Sequence, residues 1–314
     1  IFGSGMAAIS ATLLTFLKSG DHAVIQNDIY GGTRNFIESH FTSYGIEYCF
    51  TKDLSPESFK ECIQPNTKLI YIETPSNPLL KLVDIFAIAK LAKNHQIITA
   101  ADNTFASPII QNPIDLGIDI VIHSATKYFG GHSDISAGAV ASSQEIMDKI
   151  WDLAKDFGGN LSDYTVWLLE RSMKTLGIRV KAQQRNAKRL AKYLEKHAAI
   201  KTVYYPGLKS SEYHSLAKIQ MKGYGAMLSF ELKYRFDSEK FLKALTLIKP
   251  SMSLAGVEST MLLPSKTSHS LLSVSDQAAQ GITDQLIRFS VGIETAKDLI
   301  KDIEQAISAS NLKK

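Results

Sequence analysis

Hydrophobic positions in the first half of the chain fall into two alternating patterns. Short runs such as HAVIQN, KLIYIE, IITAAD and IDIVIH are apolar at nearly every position. Between them lie longer segments in which apolar residues return every three or four positions. The short runs predict strands buried on both faces, as in a parallel sheet covered by helices. The periodic segments predict helices: AISATLLTFLKSG ending at Gly20, TRNFIESHFTSYG closed by Gly45, SPESFKECI with Ser55 at the N-cap, and DIFAIAKLAKNH. Serine before the first periodic residue and glycine after the last suit helix ends, because one caps free N–H groups and the other adopts the turn that stops the helix. The order β-α-β-α-β predicts a doubly wound α/β unit.

From about Ile178 the pattern changes. RVKAQQRNAKRLAKYLEKH predicts a long basic amphipathic helix, whose charged side is read as a solvated face. Strand-like KTVYYPG and GAMLSFEL follow, then a helix in SEKFLKALTLI, a strand in QLIRFSVGIE and a last helix in AKDLIKDIEQAIS. Mixed, fewer elements predict a smaller α+β domain. The expected division is a large α/β domain over 1–177 and a small domain over 178–314.

Composition narrows the picture further. A chain of 314 residues with 45% hydrophobic and 21% charged residues can bury a large core. A net charge of +4, with no basic block interleaved with aromatics, argues against a nucleic-acid partner. No apolar run is long enough to span a bilayer, so no membrane partner is expected. Only Cys49 and Cys62 occur, which suggests neither a disulfide framework nor a clustered metal site, and a reduced, cytoplasmic setting is expected. The chain opens inside IFGSGMAAISATLLTFL, which has neither the basic flank of a signal peptide nor the look of a domain start. The expectation is that an N-terminal segment is missing.

Candidate chemistry comes from position. Four apolar strands each run directly into a polar cluster: HAVIQN into DIYGGT, KLIYIE into TPSNP, IITAAD into NTFASP, and IDIVI into HSATKYFGGHSD. In open α/β sheets ligands bind outside the carboxyl ends of the strands, so the four clusters should face one crevice. A lysine there, Lys127, loses solvation, and its amine becomes able to bond a carbonyl carbon. Ser124 and Thr126 offer hydroxyls to phosphate oxygens. Gly3-Ser4-Gly5 opens a helix, and helix N-termini bind phosphate through free N–H groups and the positive end of the dipole. Asp102 can pair with a buried cation, and Tyr30 supplies a ring that can stack. An aldehyde-bearing phosphate with a protonated ring nitrogen, pyridoxal 5'-phosphate (PLP), would use all of these groups. Singly, each residue also fits an ordinary loop or core-edge position; the set at successive strand ends reads as a site.

SGMAAI, YGGT, ETPSNP, DNTFASP, SATKYFGGHSD, SLAGVES and IRFSVGIE resemble, in order from Gly3 to near the C-terminus, the PLP-dependent trans-sulfuration enzymes of cysteine and methionine metabolism. That family includes cystathionine γ-synthase, cystathionine β- and γ-lyases and methionine γ-lyase. The resemblance implies the PLP-dependent transferase fold type I, like aspartate aminotransferase, with a mainly parallel doubly wound sheet. It also implies a homotetramer built as a dimer of dimers. It makes Lys127 the Schiff-base lysine, Asp102 the partner of the pyridine nitrogen and Tyr30 the stacking ring, also implicated in proton handling. Gly5 and Met6 would contact the phosphate through their backbones, and Ser124 and Thr126 through their side chains. Asn77 would lie near the cofactor hydroxyl and the substrate carboxylate. Arg288 would clamp that carboxylate, with Ser253 lining the same end.

Two departures bear on expectation. A tyrosine and an arginine that family members use to reach a neighbouring subunit's phosphate would precede Ile1. A glutamate near the distal amine in γ-synthases and γ-lyases is here Met252, which fits a substrate with an apolar distal end, such as methionine. Methionine γ-lyases, however, typically carry cysteine at the second glycine of YGGT, here Gly32, and the arginine two positions after that threonine in several relatives is absent, Arg34 following Thr33 directly. The expected activity is C–S bond cleavage in a small sulfur amino acid, by β- or γ-elimination from cystathionine or methionine. The alternative is cystathionine γ-synthase chemistry, and more distantly a non-catalytic remnant of the fold. A nucleotide-binding dehydrogenase fits poorly, because GSGMAA lacks the third glycine of a dinucleotide fingerprint.

Overall fold

The computed structural model describes residues 1–270 and 273–312. The first half runs α1 (Gly5–Phe16), β1 (His22–Ile25), α2 (Gly31–His40), β2 (Glu47–Phe50), α3 (Pro56–Cys62), β3 (Thr67–Glu73), α4 (Ile85–Asn94), β4 (Ile98–Asp102), α5 (Ser107–Ile110), β5 (Ile120–His123) and β6 (Ala139–Ala141). Its six strands lie in the order β2-β1-β3-β4-β5-β6. The first five are parallel, and β6 runs antiparallel beside β5. Because β1, β3, β4 and β5 are parallel, their carboxyl ends share one edge.

Alternation along these strands sends neighbours to opposite faces. Ala23, Ile25, Leu69, Tyr71, Ala100, Ile120 and Ile122 pack in one core with α1 residues such as Ala8 and Leu13. Val24, Ile70, Ile72, Ala101 and Val121 pack on the other side with Phe59, Ile85 and Ile88. Both faces are buried, which is why these strands read as continuous apolar runs. Two of the predicted caps are present: the Ser55 side chain accepts from the Ser58 N–H at the start of α3, and Gly45 closes the turn after α2 with φ of 71°. The third, Gly20, is not, because α1 ends at Phe16 with Leu17 extended and Gly20 lies in the turn beyond, at φ of 88°.

The second half contains α6 (Gln144–Phe157), α7 (Asp163–Met173), α8 (Leu176–Glu195), β7 (Ile200–Tyr204), α9 (His214–Gln220), β8 (Met227–Leu232), α10 (Ser238–Ala244), β9 (Lys249–Pro250), β10 (Thr260–Leu262), α11 (Val274–Ala279), β11 (Leu286–Ser290) and α12 (Ala296–Ala309). Its five strands lie in the order β7-β8-β11-β10-β9 and are antiparallel except for the pair β10 and β9. Helix α8 crosses the expected boundary at residue 177. The core under the second sheet also takes in Phe105, Ala125, Tyr128 and Phe129 from the first half, so the two sheets share packing.

Among the departures from the sequence reading, two concern the segment from 47 to 62. Strand β2 was not predicted: it is an edge strand whose residues are exposed or half-buried, so it carries no apolar run. The cysteines, expected to take part in no disulfide framework, are bonded to each other, with Sγ atoms 2.17 Å apart and Cα atoms 5.8 Å apart. A count of two says nothing about proximity; the turn after β2 brings α3 back alongside it and sets Cys62 against Cys49.

Candidate active site

The crevice at the carboxyl edge of the parallel sheet holds a cavity of about 430 Å³. Gly5, Met6, Tyr30, Asn77, Asp102, Ser124, Thr126, Lys127, Met252, Ser253 and Arg288 all line it, so every site residue expected from the sequence is brought to one place.

One wall is the start of α1. Ser4 caps this helix by accepting from the Ala7 N–H at 3.0 Å, which leaves the Gly5 and Met6 N–H groups without intrahelical acceptors. Gly5 is required for close approach, since a Cβ there would lie 2.8 Å from Cβ and Oγ of Ser124. The Ser124 hydroxyl therefore stands directly against the helix end, where an anion is favoured. The Ser124 N–H donates to Thr104 Oγ1 at 2.8 Å, which fixes the turn after β5. The Thr126 hydroxyl is already engaged: it donates to the Ala137 carbonyl at 3.2 Å and accepts from the Ala137 N–H at 2.9 Å. Thr126 lines the cavity while tying its loop down.

Lys127 follows in the same turn. Burial and then the nearby Arg288 charge push its amine below the ordinary lysine range, toward the neutral form that can act as nucleophile or base. Asp102 ends β4 and is buried, accepting from the Thr104 N–H at 2.9 Å. Burial raises its pKa, so its charged form lacks a sufficient partner in the chain itself. Directly opposite it in the β3–β4 register sits Glu73, pushed well above its usual range by burial and by the charge of Asp102. Glu73 Oε2 accepts from the Tyr30 N–H at 2.7 Å and so anchors the YGGT turn. The Tyr30 ring is 44% exposed and lies over Gly32, where a Cβ would come within 2.4 Å of it.

The opposite wall comes from the second sheet. Arg288 projects from β11 and is 3% exposed. One terminal nitrogen donates to Asn77 Oδ1 at 3.3 Å and the other to the Met252 carbonyl at 3.0 Å. Burial pushes its pKa down to about 10. Among the described residues it has no carboxylate partner, and a buried cation in that state fits a site for an anionic ligand group. His269, pushed down to about 4 by burial and then by Arg288, stays neutral at this end. The Met252 side chain is 61% exposed, so its backbone steadies Arg288 while its side chain faces the mouth.

The residues fit PLP on their own geometry: a desolvated amine, a buried carboxylate short of a cation, and a helix N-terminus beside a free hydroxyl. Sequence reasoning missed Glu73, Thr104, Phe105 and Ser268, which also line the cavity. Glu73 had a legible signal, since it ends an apolar strand as Asp102 does. Ser268 had none, because it arrives from a segment far along the chain.

Comparison with known proteins gives the same direction. Residues 1–308 match the family model described as Cys/Met metabolism PLP-dependent enzyme. The chain is 45% identical over 307 residues to cystathionine gamma-lyase of Bacillus subtilis (strain 168), covering 98% of this chain and 81% of that protein. It is 43% identical over 308 residues to L-methionine gamma-lyase of Fusobacterium nucleatum subsp. polymorphum, covering 97% and 78%. Among solved structures, cystathionine gamma-lyase from Lactobacillus plantarum complexed with L-serine superimposes with a TM-score of 0.96 at 41% identity, covering 98% of this chain and 81% of that one.

Proposed function

The chain belongs to the Cys/Met metabolism PLP-dependent enzymes, and from that premise we propose that it cleaves the C–S bond of cystathionine or methionine, releasing a thiol, ammonia and a 2-oxo acid. The observation that carries this reading is the buried, carboxylate-free Arg288 facing Lys127 across one cavity. Bound PLP supplies an aldehyde for an amine to bond and a ring that withdraws electrons from the substrate α-carbon.

The chain's residues do the rest. The Gly5 and Met6 N–H groups and the Ser124 hydroxyl would hold the phosphate. Asp102, opposite Glu73 at the strand ends, would pair with the protonated ring nitrogen and gain the cation it lacks. The Tyr30 ring, anchored through its N–H bond to Glu73, would stack on the cofactor ring. Arg288 binds the substrate carboxylate with the N–H groups not used by Asn77 and Met252. Lys127 Nζ, its pKa lowered by burial and by Arg288, would take the α-proton, and for a γ-thioether the β-proton as well. The departing thiolate would take up a proton as the C–S bond breaks, and water would release the remaining carbon skeleton as ammonia and the 2-oxo acid. Met252 at the mouth presents an apolar surface to the distal end of the substrate. In this division, residues 1–177 hold the cofactor, and residues 178–314 supply Met252, Ser253 and Arg288.

Two further parts of the reading have their own support. A homo-oligomer, as a dimer of dimers, fits the exposure of Trp151 at 56% and Phe157 at 61% on α6, and of Tyr164 at 71% and Trp167 at 54% on α7. Light scattering on the purified protein measures its mass directly. A cytoplasmic location fits free amino-acid chemistry, whereas the Cys49–Cys62 bond runs against it; thiol alkylation in intact cells decides between them.

The activity is tested by 2-oxo acid release from cystathionine and from methionine, alongside cystathionine formation from an acylated homoserine plus cysteine. Release from either substrate, abolished in Lys127→Ala, is expected. Cystathionine formation with no release, or near-normal release in Lys127→Ala, would overturn the proposal.

A further inference from the structure

The basic face of α8, read from the sequence as merely solvated, is one wall of a second cavity of about 440 Å³. Lys188, Lys192 and Lys196 recur every fourth residue along the helix and its C-cap, so they share one face. Lys209 and Lys218 close the cavity from the loop after β7 and from α9. Five lysines against Glu195 leave an excess of four positive charges, equal to the net charge of the whole chain, +4. Basic charge is therefore concentrated at this cleft, and the rest of the molecule is balanced.

Two observations bear on this cluster. Some helix lysines elsewhere are neutralised within their own helix, as Lys149 is by Glu145, Lys155 by Asp152 and Lys174 by Glu170, while others, such as Lys90 and Lys93 on α4, stand singly. None of the five cleft lysines is in an ion pair among the described residues, and Glu195 accepts from Ser210 instead. Like charges four residues apart destabilise a helix by a few tenths of a kcal/mol per pair. The helix dipole offsets this only in the last turn, which leaves Lys188 uncompensated. The cleft also has a flat wall. His214 is fixed by its Nδ1 against the Pro206 carbonyl at 2.9 Å, and its ring stacks on Tyr224 with centroids 5.5 Å apart and planes at 27°.

We propose that this cleft binds a small polyphosphate, with the lysines taking the phosphate oxygens and the His214–Tyr224 wall available to a base. A compact anion is favoured over a macromolecule because the charges converge on a concave pocket of small-ligand size instead of extending along a stripe. The cleft shares no lining residue with the Lys127 cavity.

The test is calorimetric titration of the cofactor-loaded enzyme, at low salt and without magnesium, with inorganic tripolyphosphate and separately with ATP. Saturable binding at one site per chain is expected, weakened by added salt. Lys192→Ala combined with Lys218→Ala should weaken it roughly tenfold or more, whereas Lys149→Ala combined with Lys174→Ala should leave it unchanged. Equal affinity for the two anions assigns the binding to the phosphates alone, and tighter ATP binding adds the aromatic wall. Absence of saturable binding to either anion overturns the proposal, as does wild-type affinity in the cleft variant or an equal loss in the control variant.

Discussion

Replacing Arg288 with lysine removes a fork of donors while keeping a positive charge. The guanidinium has five N–H groups; in this structure one terminal nitrogen donates to Asn77 Oδ1 at 3.3 Å and the other to the Met252 carbonyl at 3.0 Å. Those two bonds orient the plane and leave the remaining N–H groups for the substrate carboxylate. A lysine carries its donors on one nitrogen and cannot satisfy Asn77 and Met252 while gripping two carboxylate oxygens. The loss is at least one charge-assisted hydrogen bond, about 1.5–3 kcal/mol, or roughly 10- to 150-fold in kcat/KM. Because the carboxylate is held equally before and during reaction, the loss should fall mainly on KM. The assay is steady-state 2-oxo acid release from methionine and cystathionine, with the cofactor's visible absorbance as a control on the site. A kcat/KM within about threefold of the parent, or a loss confined to kcat with KM unchanged, would refute the carboxylate role.

Asp102→Asn separates the cofactor-free and loaded states. Burial raises the Asp102 pKa, so its stability contribution is present below the unfolded value of about 3.9 and is lost as pH rises through the raised folded value. Cofactor-free Asp102→Asn should therefore melt higher than cofactor-free parent at pH 8, with the order reversed when PLP is bound; parallel shifts in both states would contradict this. His123 is pushed down to about 3 by burial beside the Phe129 ring, 4.7 Å away. Its contribution is complete above pH 6.5 and falls as pH drops, by about 2 kcal/mol at pH 5. The fall in urea stability from pH 7 to pH 5 should be smaller by that amount in His123→Phe, and an identical fall in both proteins would show that His123 does not carry it. Gly32→Cys puts a Cβ within 2.4 Å of the Tyr30 ring and must displace it. Spectroscopic titration should then show weaker PLP binding at little change in melting temperature, and unaltered affinity would mean that the ring's seat over Gly32 is unimportant.

Much of the large sheet was legible because burial on both faces leaves a plain signature. Ile70 and Ile72 face one helical layer and Leu69 and Tyr71 the other, so KLIYIE has no polar alternation. Ser55 and Gly45 marked helix ends because local backbone needs demand those residue types. Strand β2 escaped because an edge strand with half-exposed side chains carries no periodic signal. Lys127 and Asp102 could be singled out as charged groups at apolar strand ends. Arg288, on an ordinary-looking strand, was identified only by family resemblance, since nothing in LIRFS says that Asn77 and the Met252 carbonyl will hold it in a dry cavity.

The amino-acid sequence by itself determined four of the five parallel strands and that their polar ends share an edge, because strand burial and helix caps are properties of short stretches. It also determined the type of chemistry, through a lysine, an aspartate and a glycine-led helix start at that edge. Only tertiary structure decided what those groups experience. Glu73 came to lie opposite Asp102, Arg288 came to lower the Lys127 pKa, Cys62 met Cys49, and five lysines from three segments converged on one cleft. The reason is physical: desolvation and charge–charge interaction depend on distances between residues remote in the chain, and packing alone sets those distances.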